Sequence, residues 1–244
     1  MAQPSYPATP HSQYYHEFLR GATTVIPVMI GVLPFGLLLG AQAAQKGLSV
    51  GLLSLMTGLN FAGGSEFAAV ALWSATPHLI TIVLVSMLVN SRHLVMGASL
   101  APYLNHLPRR KALPALFFMC DENWALAMAD ATRRRAAGQE PAFSLSFYFG
   151  LAVTLWAVWL ASTTVGALIG PVLGDISRWG FDMAFPAVFL VLLKGMWKGM
   201  RCAIPWLVSL LCASLAYHYL PGAAYVPIGA ITGIIAIVLM GAKA

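Results

Sequence analysis

The sequence predicts an all-α integral membrane protein, and three observations lead to this fold class. Only 9% of the 244 residues are charged, where a soluble domain has about 25%. Hydrophobic residues make up 59% of the chain, and the mean hydropathy is +0.77. Charged residues are also missing from four stretches long enough to cross a bilayer, since a spanning helix needs about 20 apolar residues. These stretches are residues 21–45, 67–91, 141–174 and 202–242.

Eight helical segments follow from these stretches and their neighbours, and they give about seven membrane spans. The exception is 114–132, which carries Asp121, Glu122 and Asp130 and has a basic cluster on each side. Basic clusters mark cytoplasmic loops, so this segment is expected to be re-entrant or interfacial, with the C-terminus in the cytoplasm. The side of the N-terminus stays open. The segments are 21–45, 48–75, 78–103, 114–132, 143–171, 180–200, 203–220 and 223–242.

The chain is expected to form a soluble N-terminal tail, residues 1–20, and one transmembrane permease domain, residues 21–242. Because residues 1–18 contain no Lys or Arg and no small-residue cleavage site ends a short apolar run, no signal peptide is predicted. The basic residues cluster in short loops as topology markers, which argues against nucleic-acid binding. The three cysteines form no metal-binding pair, so no metal or cofactor is expected.

Small residues recur at four-residue spacing in the apolar segments, for example at Gly36 and Gly40 and again at Gly166 and Gly170. Such spacing lets helix backbones approach closely inside a bilayer, where no hydrophobic effect drives them together. The expectation for most of these glycines is tight helix packing.

A possible inverted repeat relates residues 21–103 to residues 143–242, with 104–142 as the connection. Residues 58–62, GLNFA, resemble residues 180–184, GFDMA, and helix breakers follow each, Gly63-Gly64 and Pro186. Matching breaks in two halves of a membrane chain are typical of a transporter site at the repeat interface. Asp182 and Pro186 are therefore candidate pathway residues.

The first candidate site is the polar insertion LNFAGGSEF, residues 59–67, inside an apolar segment. Gly63 and Gly64, with Asn60, predict a helix break, after which N–H groups near Gly64 and Ser65 would suit a carboxylate. Carbonyls before the break, with Glu66, would suit an ammonium group, and Glu66 is also a candidate carrier of a coupling proton. The alternative is a close helix crossing in which Glu66 pairs with a basic residue.

Two further polar clusters interrupt apolar sequence. Asn90, Arg92 and His93 end a long charge-free run, and they would either line a pathway or pack while Arg92 reaches the interface. Asp121 and Glu122 would be a proton or ammonium site if their segment enters the membrane, and would be solvated if it lies at the surface.

Five motifs, in order, resemble the AzlC/YgaZ family, the large subunit of bacterial branched-chain amino acid exporters. They are PFGLLLG (34–40), FAGGSEF (61–67), NSRHLVMGASLAP (90–102), CDENWALA (120–127) and GFDMAFPAVF (180–189). The resemblance implies a multi-pass permease of the bacterial inner membrane that exports valine, leucine, isoleucine or related apolar amino acids. It also implies a small membrane partner of the AzlD/YgaH type.

The sequence departs from the family pattern at three positions. The family usually has Gln at position 66 and often Ala at position 64, and its second motif commonly continues LYG where this chain has LVMG. A carboxylate at position 66 would change the substrate, add proton coupling or pair with a base.

Two other function classes compete with amino acid export. Ser65 and His93 would suit the Ser-His dyad of an intramembrane serine protease, although no GxSG-type pattern surrounds the serine. A passive channel for small solutes would also contain broken helices, but its flux would not respond to a proton gradient.

Overall fold

The structure, a computed structural model, describes residues 10–172, 199–220 and 224–241. Every regular element in these ranges is an α-helix, which confirms the predicted all-α class. The helices are α1 (Pro10–Thr24), α2 (Ile26–Gln45), α3 (Val50–Asn60), α4 (Gly63–Leu72), α5 (Leu79–Asn90), α6 (Arg92–Leu104), α7 (Arg109–Phe117), α8 (Asp121–Ala136), α9 (Leu145–Ile169), α10 (Met200–Tyr219) and α11 (Tyr225–Leu239).

Three helical stretches in the described ranges are long and apolar enough to cross a membrane: Ile26–Gln45, Leu79–Leu104 and Leu145–Ile169. Shorter apolar helices cover Val50–Asn60, Ala203–Tyr219 and Pro227–Leu239. Large apolar side chains on these helices are widely exposed, as on α11, where Leu239 is 80% exposed. Such surfaces suit lipid rather than water. The segment predicted at 180–200 lies almost entirely outside the described residues, so the number of spans stays a prediction.

Two predicted helices are interrupted. The 48–75 segment divides into α3 and α4, and the 114–132 segment divides into α7 and α8. Neither α7 nor α8 is among the membrane-capable helices, in agreement with the expectation that this segment is no full span. Helices α5 and α6 meet at Ser91, whose backbone is itself right-handed helical with φ −55° and ψ −26°, and together they form the helical stretch Leu79–Leu104.

The chain clusters into two compact units. The first comprises the described residues within 1–66 and 90–174, and the second those within 67–89 and 175–244. The units do not follow the predicted repeat halves, because α2 and α3 from one half pack against α9 from the other inside the first unit. The second half of the repeat signal, residues 180–184, lies outside the described residues.

Helix α9 is the centre of the first unit, where it packs against α1, α2, α3 and α8. At its crossing with α2, a Cβ added to Gly40 would lie 2.1 Å from the Thr163 carbonyl oxygen, and one added to Gly166 would lie 2.2 Å from the Leu37 oxygen. The two backbones are therefore in direct contact, as the glycine spacing predicted for these positions.

The tail expected at residues 1–20 requires correction, because α1 begins at Pro10 and packs on α9. The reason is a second glycine crossing. A Cβ on Gly21 would lie 2.2 Å from the Phe147 oxygen, and one on Gly150 would lie 2.1 Å from the Phe18 oxygen. The N-terminal residues from position 10 thus belong to the helical domain.

An ion-pair network fixes α1 to α8. Arg20 donates to both oxygens of Asp130 at 2.8 Å and to Glu17 at 2.9 Å and 3.1 Å. Arg133 donates to Asp130, and Arg134 donates to Glu17. Burial would raise the pKa of Asp130, but the hydrogen bonds from Arg20 and Arg133 prevail and lower it. The hydrogen bond from Arg20 likewise lowers the pKa of Glu17.

Replacement of Gly40 by Ala is expected to destabilise the protein by about 1–3 kcal/mol, because the new methyl group must separate α2 from α9. Gly31→Ala is the matched control in the same helix, since a Cβ there meets nothing within 4 Å. The measurement is the midpoint of thermal unfolding of the purified chain in detergent. Equal midpoints for the two variants would contradict direct backbone contact at Gly40.

The α1–α8 network predicts acid sensitivity. The pKa values of Asp130 and Glu17 in the folded protein lie below their ordinary values of 3.8 and 4.5. The two carboxylates therefore contribute their full stabilisation above the ordinary values. This stabilisation is lost as the pH falls through the lowered pKa values of the folded protein. The unfolding midpoint should drop between about pH 5 and about pH 2, and Arg20→Gln should shrink that drop. Arg110→Gln, at an exposed position, should keep the full drop; an equal drop in all three proteins would refute this assignment.

Candidate functional site

The break between α3 and α4 lies at Phe61 and Ala62, just before the two glycines. Phe61 adopts a left-handed conformation with φ 45°, which is uncommon for a large side chain, and its N–H donates to the Thr57 oxygen at 3.2 Å. Gly63 and Gly64 then form the first turn of α4. The predicted break is present, but the glycines start the second helix, and the left-handed residue that ends the first is Phe61.

Glu66 satisfies the backbone at this break with its own side chain. The carboxylate is 1% exposed. One oxygen accepts from the Ala62 N–H at 3.1 Å and from the Asn60 side-chain amide at 3.4 Å. The other accepts from the Trp159 indole N–H at 2.7 Å. Every one of these partners is a donor, so the arrangement fits an ionised, acceptor-only carboxylate.

No ion pair of Glu66 occurs among the residues that the structure describes, so the alternative of a basic partner for Glu66 finds no support there. A buried carboxylate without a cation is costly unless several donors hold it. Here three neutral donors, from Asn60, Ala62 and Trp159, hold the Glu66 carboxylate. Within the described parts of the chain the Glu66 charge has no cationic partner, so an added cation or proton would neutralise it.

Asn60, Ser65, Glu66 and Asn90, all predicted site residues, form one hydrogen-bonded chain. The Asn60 amide donates to the Ser65 hydroxyl at 2.9 Å as well as to Glu66, and the Asn90 amide donates to the Asn60 oxygen at 3.2 Å. Ser65 in turn donates to the Ala62 oxygen. Asn60 is thus the hub that joins the α3–α4 break to the end of α5.

Part of the carboxylate site predicted at the start of α4 is already occupied. The N–H groups of Ser65 and Glu66 both donate to the Ala62 oxygen, at 2.9 Å and 3.3 Å, and the Ala62 N–H donates to Glu66. The Ser65 N–H, which was expected to receive a substrate carboxylate, is therefore used by the local turn. The same expectation for the Gly64 N–H stays a prediction.

Sequence reasoning missed the contribution of α9. Trp159 reaches Glu66, and Trp156 donates from its indole to the Gly58 oxygen at 2.9 Å. The hydroxyls of Thr163 and Thr164 lie 3.1 Å from Thr57 and 2.8 Å from Ser54. A sequence signal was present, because the side chains at positions 156, 159, 163 and 164 carry hydrogen-bonding groups and lie on one face of the helix.

Gly63 makes room for the Trp159 ring. A Cβ at position 63 would lie 3.2 Å and 3.3 Å from two ring carbons. The glycine was singled out as a helix breaker, but the structure shows that it also lets the indole approach the carboxylate. Gly63, Glu66 and Trp159 therefore act as one packing unit.

The second cluster lies at the junction of α5 and α6. Arg92 pairs with Asp121 at 2.9 Å, and both side chains are about one-third exposed. The His93 ring nitrogen Nδ1 lies 3.2 Å from the Asn90 carbonyl oxygen. The structure thus joins the second predicted cluster to the third, because Asp121 opens α8.

The remaining predicted residues are placed as follows. Glu122 is half-buried in the first turn of α8, beside Asp121. Ser65 and His93 have different partners and no mutual hydrogen bond is present between these two described side chains. Asp182 and Pro186 lie outside the described residues, so their assignment stays a prediction.

Together, the apolar helices and the polar chain at an interrupted helix define a multi-pass integral membrane protein. Residues 27–173 match the family model described as AzlC protein. Since this match covers more than half of the chain, the protein belongs to the AzlC family.

Similarity to individual proteins is moderate. The chain is 27% identical over 188 residues to an uncharacterized membrane protein of Helicobacter pylori strain 26695, covering 75% of this chain and 78% of that protein. It is 26% identical over 172 residues to the inner membrane protein YgaZ of Escherichia coli K12, covering 70% and 65%.

A third relative carries a transport name. The chain is 25% identical over 186 residues to the branched-chain amino acid transport protein AzlC of Bacillus subtilis 168, covering 76% of this chain and 70% of that protein. No solved structure matches the chain.

The donor set around Glu66 predicts the effect of its amide analogue. Glu66→Gln replaces one acceptor oxygen with an NH2 group, which must then face an N–H of Ala62, Asn60 or Trp159. We expect a loss of about 1–3 kcal/mol, because a buried donor is left unpaired. The double variant Glu66→Gln/Trp159→Phe removes one such N–H and should recover part of the loss.

Thermal unfolding of the wild type, both single variants and the double variant provides the measurement. Trp156→Phe with Glu66→Gln is the matched control, because Trp156 donates to a backbone carbonyl instead. Strictly additive losses in the Trp159 cycle would argue against direct coupling between the indole and position 66.

Proposed function

We propose that this protein is a secondary transporter that exports branched-chain or related apolar amino acids across the bacterial inner membrane. The observation that carries the proposal is the polar chain at the α3–α4 break, where Glu66 is buried and every partner it has among the described residues is a neutral donor. Interrupted helices that expose polar groups at bilayer depth are characteristic of transporter sites. Membership of the AzlC family and the name of the Bacillus subtilis relative, a branched-chain amino acid transport protein, support the substrate class.

Proton coupling is the second part of the proposal, with Glu66 as the carrier. Three donors hold the carboxylate, and none of its hydrogen-bond partners in residues 10–172, 199–220 and 224–241 is an acceptor for a carboxylic proton. Protonation would thus require at least one of these donors to turn away. This gives a physical reason why proton uptake and a change of helix arrangement would occur together.

Transport is proposed to need a small membrane subunit of the AzlD/YgaH type, and no cofactor or covalent chemistry. The C-terminus is proposed to lie in the cytoplasm, as the distribution of basic residues predicts. A passive channel remains the competing function, and its distinguishing property is flux that ignores a proton gradient.

The test is movement of labelled leucine in proteoliposomes that contain this chain together with its small subunit. The wild type should accelerate efflux when a proton gradient is imposed. Glu66→Gln should retain exchange of leucine for leucine, which shows a folded protein, but lose its response to the gradient. Gly31→Ala serves as a variant with wild-type behaviour.

If Glu66→Gln does not fold, the Glu66→Gln/Trp159→Phe variant replaces it. Wild-type flux of equal size with and without the gradient would favour the channel. Absence of leucine flux in every sample would overturn the proposed substrate class.

A further inference from the structure

Three buried side-chain atoms in the described parts of the chain have no hydrogen-bond partner: Asn90 Oδ1, Arg92 Nε and Arg134 Nε. Native proteins leave few such atoms unsatisfied, because a buried polar atom without a partner is destabilising. Arg134 belongs to the ion-pair network between α1 and α8. The other two lie two residues apart, where α5 meets α6.

The two atoms at this junction have opposite hydrogen-bonding character. Asn90 Oδ1 is an acceptor, and Arg92 Nε is a charged donor. Each side chain is also anchored at its other end. The Asn90 amide nitrogen donates to Asn60 at 3.2 Å, and an Arg92 terminal nitrogen lies 2.9 Å from the Asp121 carboxylate. The two atoms without a hydrogen-bond partner therefore belong to side chains that other residues hold in place.

An α-amino acid carries the complementary pair of groups on a single carbon. Its ammonium group needs an acceptor, and its carboxylate needs a donor. The Arg92–Asp121 pair is neutral overall, as is the zwitterion, so binding would place no net charge at the junction. By contrast, the N–H groups of Ala62, Ser65 and Glu66 at the α3–α4 break are used internally, and all described partners of Glu66 are donors.

We infer that Asn90 and Arg92 form the clamp for the main-chain groups of the transported amino acid, Asn90 Oδ1 binding its ammonium and Arg92 Nε its carboxylate. This inference rests on the proposed function and specifies how its substrate is held. It assigns positioning roles to Asp121 and Asn60, which fix the two clamp side chains. It also places the bound ammonium at one end of the Asn90–Asn60–Glu66 hydrogen-bonded chain.

The test is binding of labelled leucine to the full chain together with its small subunit in nanodiscs, with two analogues as competitors. Leucinol lacks the carboxylate, and 4-methylpentanoate lacks the ammonium. In the wild type, both should bind roughly 10- to 100-fold more weakly than leucine, as expected for loss of one charge-assisted contact. Each clamp variant should then become insensitive to one missing group.

Asn90→Ala should weaken the binding of leucine roughly 10-fold or more and leave the affinity for 4-methylpentanoate unchanged. The second clamp variant is Arg92→Gln combined with Asp121→Asn, so that no carboxylate is left unpaired. It should weaken the binding of leucine to a similar extent and leave the affinity for leucinol unchanged. Asn105→Ala and Arg109→Gln are matched controls at exposed positions, and should retain wild-type discrimination.

Failure of the proposed function and failure of the clamp alone give different binding results. A wild type that does not bind leucine would overturn the proposed function and the clamp with it. Leucine binding with unchanged preference over both analogues in the clamp variants would overturn the clamp alone. Should Asn90→Ala fail to fold, Asn90→Asp keeps the acceptor and should tighten leucinol binding; weaker leucinol binding in that variant would also refute the clamp.

Discussion

The hydrogen bond from Trp159 to Glu66 links the two most demanding features of this structure, a broken helix and a buried charge. Interrupting a helix in an apolar environment leaves backbone groups without partners, and burying a carboxylate removes its hydration. The two costs offset each other here. Glu66 accepts from the backbone N–H that the break leaves open, and the indole of Trp159 supplies a donor to the remaining oxygen.

Helix α9 can perform this role because it is fixed on both sides by contacts that do not depend on the hydrophobic effect. Towards α2 it is held by backbone contact at Gly40 and Gly166, and towards α3 by hydroxyl and indole hydrogen bonds. In a bilayer, close packing and polar contacts are what drive helices together. A single helix therefore sets the positions of the crossing, the break and the carboxylate.

The sequence was sufficient for the fold class, because charge-free stretches and low charge content leave no alternative to membrane helices. It also located the break near Gly63 and Gly64, since glycine and asparagine disfavour helix locally. It could not show that Phe61 takes the left-handed conformation, or that Gly63 makes room for an indole from a segment 93 residues away from Glu66. Helix α1 was missed for a similar reason, as its register depends on Gly150 in α9, and pairing between distant helices leaves no local signal.

In the proposed transport mechanism, Asn60 would connect substrate binding to protonation of Glu66. Its amide nitrogen serves Ser65 and Glu66, while its oxygen serves Asn90, so its orientation is fixed by both neighbours at once. If Glu66 were protonated, its new O–H would need an acceptor, and the Asn60 oxygen becomes available only if the amide turns over. That rotation would break the hydrogen bond from the Asn90 amide to the Asn60 oxygen and would turn the Asn60 NH2 group towards Asn90 instead. Occupancy of the junction at α5 and α6 and protonation at the α3–α4 break would then compete for one amide, which is the requirement for coupled exchange rather than leak.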